Sequence, residues 1–330
     1  MRARRRISFT DSVVVITGGS RGLGLAIARE LAREGARLVL IARDAEELER
    51  ARQELVTEAG TVHTIACDVG VAEQVESAMA EVQERFGRID VLINNAGILQ
   101  FGPLAHMSRD DFESAMNVHL WGPFHTMMAA IPTMHRQGCG RIVNISSVGG
   151  MVALPHMAPY TASKFALVGL SDALRMELSR QNIHVTTVCP GLMRTGSHVN
   201  ALFKGQHQAE FAWFSIGNAF PLASVSEKRA ARSVVEACRH GASHLTIGVP
   251  ARLAIIGNAL FPELTADIMA WVNRLLPDPE ATHAGDEART GWESRSRWAP
   301  SVLTYRSDRA VAKNNELRGH PAGHLRGEEQ

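Results

Sequence analysis

Seven short runs of β-branched and aliphatic residues, spaced by helical patterns, constrain this chain's first 250 residues more than any other feature. They occupy residues 13–16, 38–41, 62–66, 91–93, 142–145, 185–188 and 245–247. Between the first two, Ile27 and Leu31 recur at helical spacing before Gly35, and the second is followed by a stretch rich in Glu and Arg. A strand with one wet face alternates apolar and polar residues, which these runs do not. Near-continuous apolar strands belong to parallel sheets covered on both faces. Strand and helix in alternation predict an α/β fold: a Rossmann-type, doubly wound, seven-stranded parallel sheet with helices on both faces.

Past Pro250 the character changes. Residues 251–276 are apolar at helical spacing but interrupted at Pro262, which predicts two helical pieces. Pro277 and Pro279 mark an exit. The polar remainder, with scattered Trp292, Trp298, Leu303 and Tyr305, reads as an extended, partly disordered tail that packs its aromatics on the main body or a partner. The expected organisation is a catalytic domain over 1–250 and a C-terminal extension, helical then irregular, over 251–330. A net charge of +1 gives no argument for a nucleic-acid partner. No apolar run reaches the roughly 18 residues that span a bilayer. Arg2, Arg4, Arg5 and Arg6 precede no apolar segment of a targeting signal. Cys67, Cys139, Cys189 and Cys238 lack metal or redox spacing and read as buried reduced thiols of a cytoplasmic protein.

The first run leads into Thr17-Gly18-Gly19-Ser20-Arg21-Gly22-Leu23-Gly24. Glycines at 18, 22 and 24 let the backbone turn tightly and approach a pyrophosphate at the next helix's N-terminus. The spacing differs from G-x-G-x-x-G, and a ligand-free glycine turn is the competing reading. The second run ends Ala42-Arg43-Asp44. An acidic side chain at 42 would bind ribose hydroxyls and repel a 2′-phosphate; alanine does neither, and Arg43 and Arg21 offer guanidinium forks to that phosphate. NADP is therefore preferred over NAD, with Asp44 as the N-cap of the next helix. Asp68, before Val69, is placed to hydrogen-bond adenine or to serve only its loop. Asn94-Asn95-Ala96-Gly97 reads as a turn, or as a rigid floor under the cofactor at the strands' C-terminal edge. Asn117, a polar amide on an apolar helix, caps a kink or orders a water chain beneath a catalytic lysine. Cys189-Pro190-Gly191, with Thr195 beyond, can close over a nicotinamide carboxamide.

Tyr160 and Lys164 stand four positions apart, on one helical face. Free tyrosine, with a pKa of about 10, is a poor proton relay at neutral pH. A neighbouring ammonium favours the phenolate, and a pKa near 7 requires about 4 kcal/mol of such help. The pair suits general acid/base work on a carbonyl or alcohol oxygen. Ser147, thirteen residues before Tyr160, can hold that oxygen, with Ser146 as its competitor.

Seen together, these residues resemble the short-chain dehydrogenase/reductase family over residues 8 to 250. The match includes its TGxxxGxG loop at 17–24, its NNAG segment at 94–97, and its Ser, Tyr-x-x-x-Lys and Pro-Gly elements in order. The resemblance implies a catalytic Asn117, Ser147, Tyr160 and Lys164, the serine-to-tyrosine spacing favouring Ser147 over Ser146. It also implies sheet order 3-2-1-4-5-6-7 and a homo-oligomer, and residues past 250 lie outside the common core. The expected activity is NADP(H)-dependent interconversion of a carbonyl and an alcohol, with Lys164 lowering the tyrosine pKa. Leu202, Phe203, Phe211, Trp213, Phe214, Ile216 and Phe220, in the segment that walls the family's substrate pocket, suggest a lipophilic small molecule; ordinary core packing is the alternative. The rival functions are a non-catalytic NADP-binding sensor or scaffold, and C=C reduction or epimerisation on the same fold. The intact Ser147, Tyr160 and Lys164 weigh against both.

Overall fold

A computed structural model describes residues 6–220, 224–279, 283–296, 298–301 and 304–317. Arg2, Arg4, Arg5 and Leu303 lie outside these. Each apolar run forms a strand: β1 (Val13–Thr17), β2 (Arg37–Ala42), β3 (Val62–Ala66), β4 (Val91–Asn94), β5 (Gly140–Ile145), β6 (Ile183–Pro190) and β7 (His244–Ile247). They build one sheet in the order β7-β6-β5-β4-β1-β2-β3, every pair parallel. The chain moves outward from β1 to β3, then returns to place β4 on β1's other side. That reversal opens a crevice beyond the C-terminal ends of β1 and β4.

The helices are α1 (Gly22–Ala32), α2 (Ala45–Leu55), α3 (Ala72–Phe86), α4 (Arg109–Met116), α5 (Gly122–Gln137), α6 (Ala158–Leu178), α7 (His207–Ala219), α8 (Glu227–His240), α9 (Val249–Leu260), α10 (Pro262–Asn273) and α11 (Tyr305–Lys313). Alternate strand residues feed two cores. Val14, Ile16, Leu38 and Leu40 pack with Ile27 of α1 and Val234 of α8. Val13, Val15, Val39 and Ile41 pack on the other face with Val82 of α3 and Met134 of α5. Both faces are dry over the inner strands β2, β1, β4, β5 and β6, which is why these carry no polar alternation, whereas the edge strands β3 and β7 are half-buried. Cys67, Cys189 and Cys238 are buried, but Cys139, in the turn before β5, is exposed.

Helices α9 and α10 are the two pieces expected around Pro262. The tail departs from expectation, because it is not extended and, of its aromatics, only Trp292 is half-buried. Arg289–Thr290 pairs antiparallel with Leu202–Phe203, which pairs with Gln100–Phe101. Trp298 and Tyr305 are exposed, whereas Val311 of α11 is fully buried against Gly196. Polar contacts do the anchoring: Asp308 Oδ1 lies 3.0 Å from His198 Nε2, and Asp308 Oδ2 accepts from Thr304 Oγ1 at 2.6 Å. A segment held by hydrogen bonds from distant residues leaves no apolar period in its own sequence.

Candidate active site

A cleft of about 740 Å³ runs along the C-terminal edge of the sheet from Arg43 to Tyr160. Thr17 fixes its floor. Thr17 Oγ1 accepts the N–H groups of Asn95 (3.0 Å) and Ala96 (3.1 Å), while Asn95 Nδ2 donates to the carbonyls of Thr17 (3.2 Å) and Gly18 (3.1 Å). A Cβ on Gly18 would lie 2.9 Å from Ala96 Cα, and one on Gly24 would lie 2.0 Å from Gly18 O. The glycines thus let loop, helix and floor touch, as the rigid-floor reading of Asn94 to Gly97 requires. Deeper in, Thr126 Oγ1 donates to Asn94 Oδ1 (2.7 Å), Asn94 Nδ2 to Asn144 Oδ1 (2.9 Å), and Asn144 Nδ2 to Ser171 Oγ (2.8 Å). This buried chain ties β4, β5, α5 and α6 together, and a fully satisfied network of this kind is rigid.

Gly18, Ser20, Gly22, Leu23, Asp68 and Val69 line the cleft with Asn95, Ala96 and Gly97. Asp44 caps α2 as expected, accepting from Glu47 N at 2.9 Å. Asp68 serves its loop, its Oδ1 accepting from Gly70 N at 2.9 Å, and it also lines the cleft. The exposed Arg43 guanidinium stands 3.7 Å from Asp68 Oδ2. Arg21 is not free for a phosphate. It donates to Glu47 Oε1 at 2.9 Å, its Nε lies 3.4 Å from Glu316 Oε2, and Ser20 Oγ donates to Glu47 Oε2 at 3.1 Å. Sequence reading missed both carboxylates; Glu47 belongs to a helix that reads as solvated, and Glu316 lies almost 300 positions away.

At the other end Tyr160 hydrogen-bonds Ser147, whose Oγ also accepts from Gly149 N at 3.0 Å. Ser146 Oγ donates instead to the Lys164 carbonyl at 3.0 Å, which supports Ser147 over Ser146. Lys164 Nζ donates to Ile145 O at 2.9 Å and lies 5.7 Å from the Tyr160 ring centroid. The electrostatics run against expectation. Burial pushes Tyr160 up to about 12, outweighing the Ser147 hydrogen bond, and burial brings Lys164 down to about 7. In this site desolvation of the charged form is the largest cause for both groups.

Asn117 does not reach the cleft. It opens a π-helical turn (Asn117–Trp121) whose closing bond runs from Gly122 N–H to Asn117 O, and its side chain is exposed beside Gly70. The residue two positions on, about 200° round the helix, faces the reacting groups. His119 Nε2 accepts from Ile98 N at 3.1 Å, its Nδ1 lies 2.8 Å from Ser163 Oγ, and its ring meets Tyr160 edge-on at 5.4 Å. Burial, then Lys164, holds its pKa well below the usual range. The neutral ring thus carries its proton on Nδ1, and Ser163 Oγ passes the hydrogen bond to Tyr160 O at 2.9 Å. The signal was available: Ala115, His119, Gly122 and Thr126 recur at helical spacing and are all buried.

Thr195 lines the cleft, its Oγ1 3.0 Å from Ser197 Oγ. Gly24, Pro190 and Gly191 do not. Gly191 N donates to Ile247 O at 2.9 Å, and a Cβ there would stand 2.9 Å from Ala251 Cβ, so Gly191 serves the packing of α9. Ile216 and Phe220 are exposed rather than turned inward.

The cleft suits an extended dinucleotide: its glycine cradle would meet phosphates and its Tyr160 end a reacting oxygen. The family model described as short chain dehydrogenase matches residues 12–203. The chain is 38% identical over 207 residues to dehydrogenase/reductase SDR family member 7B of Danio rerio, covering 61% of this chain and 67% of that protein. It is 36% identical over 230 residues to a putative ketoacyl reductase of granaticin polyketide synthase from Streptomyces violaceoruber, covering 68% and 85%. Among solved structures, L-sorbose reductase of Gluconobacter frateurii, complexed with NADPH and L-sorbose, superposes with a TM-score of 0.66 at 27% identity, covering 73% and 97%. The chain belongs to the short-chain dehydrogenase family and is an NAD(P)-dependent oxidoreductase acting between alcohol and carbonyl.

Proposed function

We propose that this enzyme uses NADP(H) to interconvert a lipophilic ketone or aldehyde and its alcohol, with Tyr160 as the proton-transferring group. One observation carries the reading: the Tyr160 hydroxyl, hydrogen-bonded to Ser147, sits at the inner end of the glycine-floored cleft. When bound, the nicotinamide supplies or accepts the hydride. The protein's own residues do the rest. Tyr160, a neutral phenol up to about 12, is a proton donor to the substrate oxygen. Ser147 Oγ, already bonded to Tyr160, orients that oxygen. Lys164, at about 7, exchanges its proton near neutral pH and can restore the one Tyr160 gives away. His119 is a positioning residue, tying Ile98 and α6 together around Tyr160. Asn117, being exposed, has no part in this scheme.

For NADP, Arg43 is the cation left for a 2′-phosphate, since Arg21 is held by Glu47 and Glu316. For a lipophilic substrate, the support is the apolar cluster in which Tyr160 packs with Phe101, Leu99, Leu154 and Phe214. Phe214 carries this argument. Phe203 and Phe211 are core residues, at 0% and 1% exposure. Fluorescence titration with NADPH and NADH, followed by nicotinamide absorbance against a panel of aliphatic and aromatic ketones, tests the reading. NADPH binding with turnover of the apolar ketones is the expected result. Binding with turnover only of small polar ketones would remove the substrate class, and no binding of either cofactor would remove the reading.

A further inference from the structure

We propose that the end of the described tail, residues 314–316, is an internal plug of the cleft's glycine-rich end, which the cofactor must displace in order to bind. The inference rests on the dinucleotide reading above and adds a regulation to it. The glycine-rich loop's anion-facing groups already have occupants from the chain itself. The Gly22 N–H, at the start of α1, donates to Asn314 O at 2.9 Å. A Cβ on Gly22 would lie 2.8 Å from Glu316 Oε1, so the carboxylate rests on the glycine that otherwise lets a phosphate approach. Asn315 Nδ2 donates to Ser20 O (2.9 Å) and Glu47 O (3.0 Å), and Arg21 Nε lies 3.4 Å from Glu316 Oε2. A buried anion at a helix N-terminus, beside an arginine and over glycine, copies what a pyrophosphate would present.

The arrangement also has a hinge. Before it, α11 is held independently by Asp308 on His198 and by Lys313 on Glu227, so it can stay while the following residues leave. Asn315 sits at φ 57°, a left-handed turn that asparagine tolerates and that steers Glu316 inward. Asn314 Nδ2 donates to Thr195 O at 2.9 Å, and Asn200 Nδ2 donates to Glu316 Oε2 at 2.6 Å. The plug thus joins the pyrophosphate loop to the wall carrying Thr195. Burial raises the Glu316 pKa despite Arg21 and Asn200, so the charged carboxylate is held there at a desolvation cost.

The test uses the full chain and the variants Glu316→Gln and Asn315→Ala, the second removing the bonds to the Ser20 and Glu47 carbonyls. NADPH affinity is measured by fluorescence, and trypsin cleavage after Lys313 by intact mass with and without NADPH. The plug predicts NADPH binding about tenfold tighter in each variant, the equivalent of one lost charge-assisted contact in Glu316→Gln and of two lost neutral hydrogen bonds in Asn315→Ala. It also predicts that NADPH speeds cleavage after Lys313 in the unmodified chain. Weaker or unchanged binding in both variants overturns the plug. So does tighter binding in Glu316→Gln with cleavage slowed or unaffected by NADPH, which would make Glu316 a fixed repulsive wall. If neither the unmodified chain nor a variant binds NADPH or NADH, the dinucleotide reading itself falls, and the plug with it.

Discussion

His119 Nδ1 lies 2.8 Å from Ser163 Oγ, and through that hydroxyl the imidazole holds the turn of α6 that carries Tyr160. Replacing His119 by alanine would strand the Ile98 N–H, at about 1–3 kcal/mol for a buried group left unsatisfied, and would remove the bond Ser163 Oγ accepts while leaving the one it donates to Tyr160 O. The expected outcome for His119→Ala is a lower urea midpoint and a kcat reduced more than the NADPH Kd is raised. His119→Gln, whose Oε1 falls near the Nε2 position and can still accept from Ile98, should recover part of both. A kcat unchanged in the alanine variant would show that His119 supports the fold without positioning Tyr160.

The tyrosine itself is the sharper test of chemistry. Tyr160→Phe keeps the ring in its apolar cluster and removes only the hydroxyl. NADPH titration should stay within about threefold of the parent, while turnover falls by roughly 10²–10⁴, the usual worth of a positioned acid/base group. A variant that kept its turnover would take Tyr160 out of the mechanism.

Lys164 makes the stability depend on pH in a definite direction. Its folded pKa is about 7, against about 10.4 for an unfolded lysine. Between those values the unfolded chain binds the extra proton, so stability rises as pH climbs from about 7 towards 10. Tyr160 acts oppositely above about 10, where the unfolded phenol ionises and the buried one does not, so stability falls again up to about 12. Urea unfolding of Lys164→Met and the parent at pH of about 6.5, 8 and 9.5 isolates the lysine contribution. The parent's gain with pH should be larger by a few kcal/mol (order of magnitude) than the variant's. Parallel profiles would mean that Lys164 is not desolvated in the fold.

How much of this was legible beforehand follows from where each residue finds its partner. The seven strands and the break at Pro262 could be read because they rest on local period and a single proline, whereas the strand order came with the family resemblance. Ser147, Tyr160 and Lys164 could be read because their spacing is short and fixed. Asn117 misled because a π-turn offers no sequence period; the polar amide was visible but its helical phase was not. The Tyr160 pKa direction was misjudged because helical spacing reveals proximity but not desolvation, and here desolvation dominates. Glu47 and Glu316 were invisible as site residues because their partner, Arg21, is distant in sequence.

The glycine cradle gives a steric prediction. In Gly24→Ala the new Cβ would stand 2.0 Å from the Gly18 carbonyl oxygen and 2.6 Å from Asn95 Nδ2, and the first is backbone that cannot swing aside. Overpacking of this kind costs about 1–3 kcal/mol or more. The clamp between Asn95 and the Gly18 carbonyl would loosen with it. Gly24→Ala should therefore unfold at lower urea and lose cofactor affinity together, whereas Gly60→Ala, with nothing within 4 Å, should change neither. Equal stability in the two variants would mean that the loop and α1 do not approach as closely as the geometry has them.

Arg43 separates the two cofactors. Its guanidinium is exposed and meets Asp68 only at 3.7 Å, a surface pair of little worth that a 2′-phosphate can outbid. Arg43→Ala should raise the NADPH Kd about tenfold, one charge-assisted phosphate contact being worth roughly 1.4 kcal/mol, and leave NADH within about twofold. The same ratio should shrink in the parent as salt rises, since an exposed contact is screened within a Debye length of about 10 Å at 0.1 M. If Arg43→Ala weakened both cofactors equally, the arginine would be stacking on adenine rather than reading the phosphate. If it weakened neither, selection for NADP would have to come from Arg21, which would first have to leave Glu47 and Glu316.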